Sequence, residues 1–315
     1  MKIVVLDGYT VNPGDLDWQP ILDLGDVDLY DRSLPTEIVP RSLGAEVILV
    51  NKVRIGEEEM SELPDLKGIC MLATGYDNVD IEEARNNGIS VYNAVGYGSE
   101  SVAQHAMALM LAFANRVESH HRSVQQGDWS VQDDFSYTLH SVSELKGKTL
   151  GIFGYGKIGR RLGEMALVFG MHVLGHARNA ITDSNVESVD QEELFRRSDF
   201  LSLHAPLTEQ TKEVVNARTL ASMKRSAVLI NTGRGGLVNE QDLIESVTTG
   251  QIAGAGLDVL QKEPPRDKNP VLHIKDILVT PHMAWRSREA RRALIAIAAE
   301  NISRVKSGSK ENRII

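Results

Sequence analysis

The chain has 315 residues, of which 42% are hydrophobic and 24% charged, the balance of a soluble globular protein long enough for two domains. Its formal net charge of -9 argues against a general nucleic-acid or anionic-membrane surface, and no apolar run is long enough to span a bilayer. Residues 1–7 are too short an apolar run for a signal peptide and read as a first strand. The single cysteine, Cys70, lies in an apolar run and suits a small core residue in a reducing cytoplasm.

Five strand-like runs come first, at residues 3–6, 27–30, 47–50, 69–73 and 89–92, separated by helix-like or turn segments such as 81–87 ahead of Gly88. Alternation at this spacing predicts a parallel α/β sheet. A long apolar helix is predicted over 102–117, with Ser99 and Ser101 as caps. The polar stretch 120–143, with Trp129, Phe135 and Tyr137, has no clear periodicity. A loop of that length in a compact domain is usually functional or interface-forming.

From residue 149 six apolar runs recur, at 150–153, 172–175, 200–203, 228–230, 255–259 and 277–279. After the first comes Gly154-Tyr-Gly156-Lys-Ile-Gly159, opening a segment with helical apolar spacing (Ile158, Leu162, Met165, Ala166, Phe169). A G-x-G-x-x-G pattern alone is weak, but strand before and helix after make it a dinucleotide phosphate site. Gly154 permits the tight turn, Gly156 lets a pyrophosphate approach the backbone, and Gly159 packs helix on strand. The helix N-terminus offers unpaired N–H groups to the phosphates. The later runs end in His176-Ala-Arg178, His204-Ala-Pro206, Asn231-Thr-Gly-Arg234, Asp258 and Thr280-Pro-His282. Carboxyl ends of parallel strands converge on one crevice. This predicts a six-stranded dinucleotide domain inserted into the first, with a final helix over 289–305 returning to the amino-terminal sheet.

Three residues near these ends have the chemistry for hydride transfer to a 2-keto acid. Arg234 supplies the fork that fixes a carboxylate bidentately, which favours Arg over Lys. His282 supplies an imidazole that can give a proton to the carbonyl oxygen, and Glu263 a carboxylate to hold its ring. Taken singly, each has a plainer reading: a turn arginine, a structural histidine, a solvated loop carboxylate. The joint pattern is what raises them.

Over essentially its whole length the chain resembles the D-isomer-specific 2-hydroxyacid dehydrogenases. The resemblance rests on the glycine turn, His204-Ala-Pro-Leu-Thr208, Asn231-Thr-Gly-Arg234-Gly235, Gly256-Leu-Asp258-Val259, Glu263-Pro264 and Pro281-His282. It implies an α/β fold of two doubly wound parallel sheets, a Rossmann dinucleotide-binding domain (101–285) inserted into a flavodoxin-like substrate domain (1–100 plus 286–315). It also implies an NAD(P)-dependent oxidoreductase with Arg234 as substrate anchor, His282 as acid/base and Glu263 as its partner, and a homodimer through an arm at about 118–145. Asp7-Gly-Tyr-Thr-Val-Asn-Pro-Gly-Asp15, Asn51-Lys52, Ala73-Thr-Gly75-Tyr-Asp77, Ser101-Val-Ala-Gln104-His105 and Pro281-His-Met-Ala-Trp285 are similar to the glycerate dehydrogenase/hydroxypyruvate reductase group. The expected substrates are therefore hydroxypyruvate/D-glycerate and glyoxylate/glycolate. A broader 2-ketoacid reductase, or a dinucleotide-sensing protein of the same fold, is the alternative.

By that resemblance the backbone at Thr74 and Gly75 grips the substrate carboxylate beside Arg234, and Asn51, Lys52 and Trp285 contribute to the pocket, Trp285 as its wall or equally as a buried core residue. The dinucleotide meets Gly154, Tyr155, Gly156, Lys157, Ile158, Gly159, His176, Arg178, Asn179, His204, Ala205, Pro206, Thr211, Thr232, Gly233, Arg234, His282 and Ala284, with Asp258 on the nicotinamide carboxamide and Val102 beside the ring. His105 is expected to pack on its helix. No metal, nucleic-acid or membrane partner is expected. One position departs from the plain pattern. The acid that accepts ribose hydroxyls about 20 residues beyond the glycines is replaced by Ala177, in His176-Ala177-Arg178-Asn179. Its absence removes a repulsion toward a 2′-phosphate, and Arg178, with His176, offers that phosphate a cation. NADP(H) is the expected cofactor, with NAD(H) or dual use as the alternative.

Overall fold

The computed structural model describes residues 1–265 and 268–315. The chain divides into two compact units, Met1–Gly98 with Trp285–Ile315, and Ser99–Ala284.

In the first unit β1 (Lys2–Val5), β2 (Asp26–Leu29), β3 (Val47–Val50), β4 (Gly68–Met71) and β5 (Ser90–Tyr92) form a parallel sheet in the order β2-β1-β3-β4-β5. That is the flavodoxin-like doubly wound order. The central strands are continuous apolar runs because both faces of such a sheet are covered. Val4, Ile48 and Ile69 pack with Ile38, Met60 and Ala84 on one side. Ile3, Val47, Leu49 and Cys70 pack with Leu294, Ile295, Ala298 and Ile302 of the Arg288–Ser307 helix on the other. Ser287 caps that helix, its Oγ accepting the Ala290 N–H. Cys70 is fully buried, which pushes its thiol well above the ordinary range and leaves it inert.

The second unit holds β6 (Thr149–Phe153), β7 (His172–His176), β8 (Glu187–Ser188), β9 (Phe200–Leu203), β10 (Val228–Asn231), β11 (Gly254–Leu257) and β12 (Ile277–Val279). They lie in the order β12-β11-β10-β9-β6-β7-β8, every pair parallel. Counted from β6 this is the Rossmann order, with its switch point between β6 and β9. The sheet has seven strands where the sequence predicts six. The extra one, β8, is a pair of exposed polar residues joined to Leu174 and Gly175 of β7, too short and too polar to register as a strand pattern.

Helix boundaries also move. The helix predicted over 102–117 spans Ser99–Asn115, so Ser99 and Ser101 lie inside its first turn. It stops at Arg116, whose φ is 50° and whose guanidinium sits 3.6 Å from Asp276 and 5.0 Å from the Phe113 ring centroid. A second helix, Val117–Gln125, follows, so the segment read as aperiodic begins helically. The terminal helix is longer than 289–305 at both ends. No described helix is long and apolar enough to cross a membrane.

Candidate active site

The glycine turn joins β6 to the Lys157–Val168 helix, whose N-cap is Gly156. Gly154 has φ +99°, and a Cβ there would lie 2.5 Å from the Ala205 backbone nitrogen, so the position admits no side chain. Around the turn lies a cavity of about 830 Å³. It is lined by Gly154, Tyr155, Gly156 and Lys157, by His176, Arg178 and Asn179 after β7, and by His204, Ala205, Pro206 and Thr211 after β9. Ile158 and Gly159 stand behind it on the first turn of the helix, Gly159 buried.

Arg160 and Asp183 line the same cavity and were not singled out from the sequence. Arg160, four residues past Gly156, was open to a helical reading; Asp183 was not, because nothing in its spacing marks it. The Tyr155 hydroxyl donates to Asp183 Oδ2 at 3.1 Å, and the Asn185 N–H donates to Oδ1 at 3.0 Å. The Asn185 bond, the Tyr155 bond and the charge of Arg160 hold the Asp183 carboxyl below its ordinary range. Burial, then the bond to Asp183, pushes the Tyr155 phenol up to about 12. The His176 ring is anchored by Nδ1–H to the Val189 carbonyl at 3.0 Å and stacks on Phe153.

Two atoms test whether these residues fit a dinucleotide. His204 Nδ1 and Thr232 Oγ1 are buried without a hydrogen-bond partner among the described residues, at the carboxyl ends of β9 and β10. Buried polar groups are rarely left so, and His204 lines the cavity, where a ligand rich in donors and acceptors would meet its ring. A Cβ at Gly156 would meet nothing within 4 Å, which is the open approach a pyrophosphate needs. The residues fit the group.

Burial takes the His204 imidazole from its ordinary 6.5 down to about 4, and its Nε2 pairs with Ser202 Oγ at 2.8 Å. The unfolded chain therefore takes up a proton near pH 6.5 that the native chain refuses until about pH 4. Stability is lost as pH falls through that window. The Tm advantage of wild type over His204→Asn is expected to shrink between those two pH values, measured by calorimetry in matched buffers. A pH-independent difference would refute it.

At the end of β10, Arg234 precedes the Gly235–Leu237 turn. The Asn231 side chain fixes the approach to it, accepting the Gly233 N–H and donating to the Arg234 carbonyl. Arg234 Nη1 donates to the Gly233 carbonyl at 2.9 Å. A Cβ on Gly235 would fall 2.0 Å from the Leu260 carbonyl, so this turn is pressed against the segment leading to Glu263. Glu263 Oε1 accepts the Leu260 N–H at 2.9 Å. Its Oε2 lies 2.6 Å from His282 Nδ1. An ionised carboxylate only accepts, so Nδ1 carries hydrogen and Nε2 is the nitrogen left to load and release a proton.

His282 has φ +51°, a region costing a residue with a side chain about 1–2 kcal/mol. Its N–H donates to the Asp258 carbonyl at 2.9 Å. The Asp258 carboxylate, 1% exposed, accepts the Met283 and Ala284 N–H groups and the Thr280 hydroxyl. The acid that the resemblance places on the carboxamide is thus also the internal anchor of the His282 turn. Ala284 is buried, as is Val102 on its helix.

The remaining candidates belong to the first unit. Asp7, buried, accepts the N–H groups of Asn51, Lys52 and Val53 at 2.7, 2.6 and 3.0 Å, fixing the loop after β3. Asn51 Nδ2 donates to the Leu72 carbonyl. Thr74 Oγ1 donates to the Ala94 carbonyl, and Asn93 Nδ2 to the Thr74 carbonyl, so the Thr74-Gly75 turn after β4 is held from both sides. Trp285 meets Tyr97 edge to face at 6.2 Å. The structure brings Glu263 and His282 into contact and seats Arg234 on the same sheet edge, while Asn51, Lys52, Thr74, Gly75 and Trp285 are held within the other unit.

Residues 107–284 match the family described as D-isomer specific 2-hydroxyacid dehydrogenase, NAD binding domain. A hydroxypyruvate reductase of Blautia hydrogenotrophica is 39% identical over 99% of both chains. A glycerate dehydrogenase of Methylorubrum extorquens is 40% identical over 88% of both. A solved acyclic imino acid reductase, Bsp5, in complex with NADPH and D-Arg, superposes with a TM-score of 0.88 at 30% identity over the whole of both chains. Sequence, topology and a cavity fitted to a nicotinamide dinucleotide agree: this chain belongs to the D-isomer-specific 2-hydroxyacid dehydrogenases and is an oxidoreductase akin to their glycerate dehydrogenase and hydroxypyruvate reductase members.

Proposed function

We propose that this enzyme reduces hydroxypyruvate to D-glycerate, and glyoxylate to glycolate, with NADPH preferred to NADH, and that it works as a cytoplasmic homodimer. The observation that carries the catalytic reading is the 2.6 Å contact between His282 Nδ1 and Glu263 Oε2, a proton-carrying ring held by its own carboxylate. The bound dinucleotide supplies the hydride. Arg234 binds the keto-acid carboxylate and polarises the carbonyl, and His282 Nε2 delivers a proton to the carbonyl oxygen. Oxidation needs the neutral ring as base, so reduction weakens and oxidation strengthens as pH rises.

The relatives' names support the substrates. Ala177 in place of the ribose-binding acid, with Arg178 on the cavity wall, supports NADPH. The exposed apolar residues of the arm, Val124, Trp129, Val131 and Phe135, the last 91% exposed, support a second copy covering them.

Initial rates of NADPH and NADH oxidation with hydroxypyruvate, glyoxylate and pyruvate test the reading. Arg178→Ala is expected to lower kcat/KM for NADPH by about 10–100-fold, the worth of a charge-assisted hydrogen bond, and to leave NADH little changed. Equal or better kcat/KM with NADH in the wild type would overturn the cofactor preference. Tight dinucleotide binding without turnover on any of these acids would overturn the activity.

A further inference from the structure

Behind the His282 turn lies a chain of polar groups that begins on a different element. The Thr280 hydroxyl donates to Asp258 Oδ1 at 2.6 Å. A hydroxyl has one proton to give, so toward His105 Nε2, 2.9 Å away, Thr280 Oγ1 is the acceptor and His105 the donor. His105 Nε2 is also 3.5 Å from Asp258 Oδ1. Asp258 in turn holds the backbone of Met283 and Ala284 through its two carboxylate oxygens, and its carbonyl holds the N–H of His282. The order is therefore His105 to Thr280 to Asp258 to the 282–284 backbone, with His105 rooted in the Ser99–Asn115 helix.

We propose that His105 and Thr280 are positioning residues that set the aim of His282. The left-handed backbone at His282 does not persist by its own preference; surrounding bonds must over-determine it. Asp258 supplies those bonds, and a carboxylate with several acceptor sites is specific in orientation only when its other contacts fix it. The Thr280 hydroxyl, itself oriented by His105, is the side-chain group that does so. A histidine packing merely for its bulk would need no hydroxyl at hydrogen-bond distance from its Nε2. The inference rests on the reading of His282 as the proton donor.

Paired variants separate aiming from packing. Thr280→Val removes the hydroxyl and keeps the shape, and Thr280→Ser restores it. His105→Leu removes the donor, and His105→Gln offers an N–H in its place. With saturating dinucleotide, Thr280→Val and His105→Leu are expected to lower kcat for keto-acid reduction by about 10-fold or more, the scale of a sub-ångström to ångström misplacement. A modest fall in Tm is expected, the worth of one buried hydrogen bond, while dinucleotide Kd stays close to wild type, and Thr280→Ser and His105→Gln should recover most of the loss in kcat. The double variant His105→Leu/Thr280→Val should lose no more than the worse single, because both act through one hydroxyl. Wild-type kcat in Thr280→Val and His105→Leu, beside an inactive His282→Gln, would overturn the proposal alone. So would losses that track Tm and that the conservative variants fail to recover. An active His282→Gln would overturn the reading of His282 beneath it.

Discussion

Glutamine at position 282 is expected to cut kcat for keto-acid reduction by about 10²–10⁴-fold, the usual worth of a positioned general acid, while dinucleotide Kd stays near wild type. Glutamine keeps a neutral N–H that can reach the Glu263 carboxylate, whose Oε2 lies 2.6 Å from the histidine ring. It cannot load a proton and release it to a carbonyl oxygen. The pH profile is the sharper readout. In the wild type, reduction falls as pH rises and oxidation falls as pH drops, because opposite protonation states of one ring serve the two directions. In the variant both dependences on that ring should vanish together. A variant retaining the wild-type profile at lower amplitude would place the proton on another group.

Arg234→Gln is expected to lower kcat/KM for the keto acid by about 10³-fold. Removing one preorganised donor to a developing oxyanion costs about 10²–10³ in kcat, and the carboxylate anchor is lost as well. Arg234→Lys should fall between the two, since an ammonium keeps the charge but not the planar fork. The rigidity of the site raises the expected penalty. Asn231 pins both sides of the turn, and Gly235 is held against Leu260, so little backbone freedom exists to bring a shorter side chain into place. Comparing a keto acid with its methyl ester isolates the anchoring role. The wild type should discriminate strongly against the ester, and Arg234→Gln should discriminate little. Unchanged discrimination would move the carboxylate contact elsewhere.

The parts legible in the sequence are those whose chemistry is confined to a short stretch. A turn built to admit a phosphate writes its glycines within six positions, and Gly154 and Gly156 stand between β6 and its helix, with Gly159 in that helix's first turn, as their spacing predicts. Parallel strands buried on both faces write apolar runs, and of the twelve strands among the described residues only β8 has none. β8 escaped because two exposed polar residues carry no period, and the Val117–Gln125 helix because its residues are mostly polar. What spacing could not show is the use of single acids at long range. Asp7 organises a loop 44 to 46 residues away, and Asp258 anchors one 22 to 26 residues away. Each looks in sequence like an acid at a strand end. Only the fold shows that three backbone N–H groups converge on the first, and two N–H groups and a hydroxyl on the second.

The route of the chain through the first unit has a consequence for how the protein is made. One face of the β1–β5 sheet is covered by Leu294, Ile295, Ala298 and Ile302. The Tyr92 hydroxyl donates to the Ser309 carbonyl, and the Ile314 N–H to that of Val91. The Rossmann unit, by contrast, is one continuous stretch whose apolar clusters, among the described residues, draw on none outside it. On a ribosome adding about 5–20 residues per second, β1–β5 emerge before the Rossmann unit does. They then wait on the order of ten seconds or more, with an apolar face bare, while the later unit is synthesised and closes. Strands translated before the Rossmann unit thus complete their packing only after it, and they are the stretch a nascent-chain chaperone has most reason to hold.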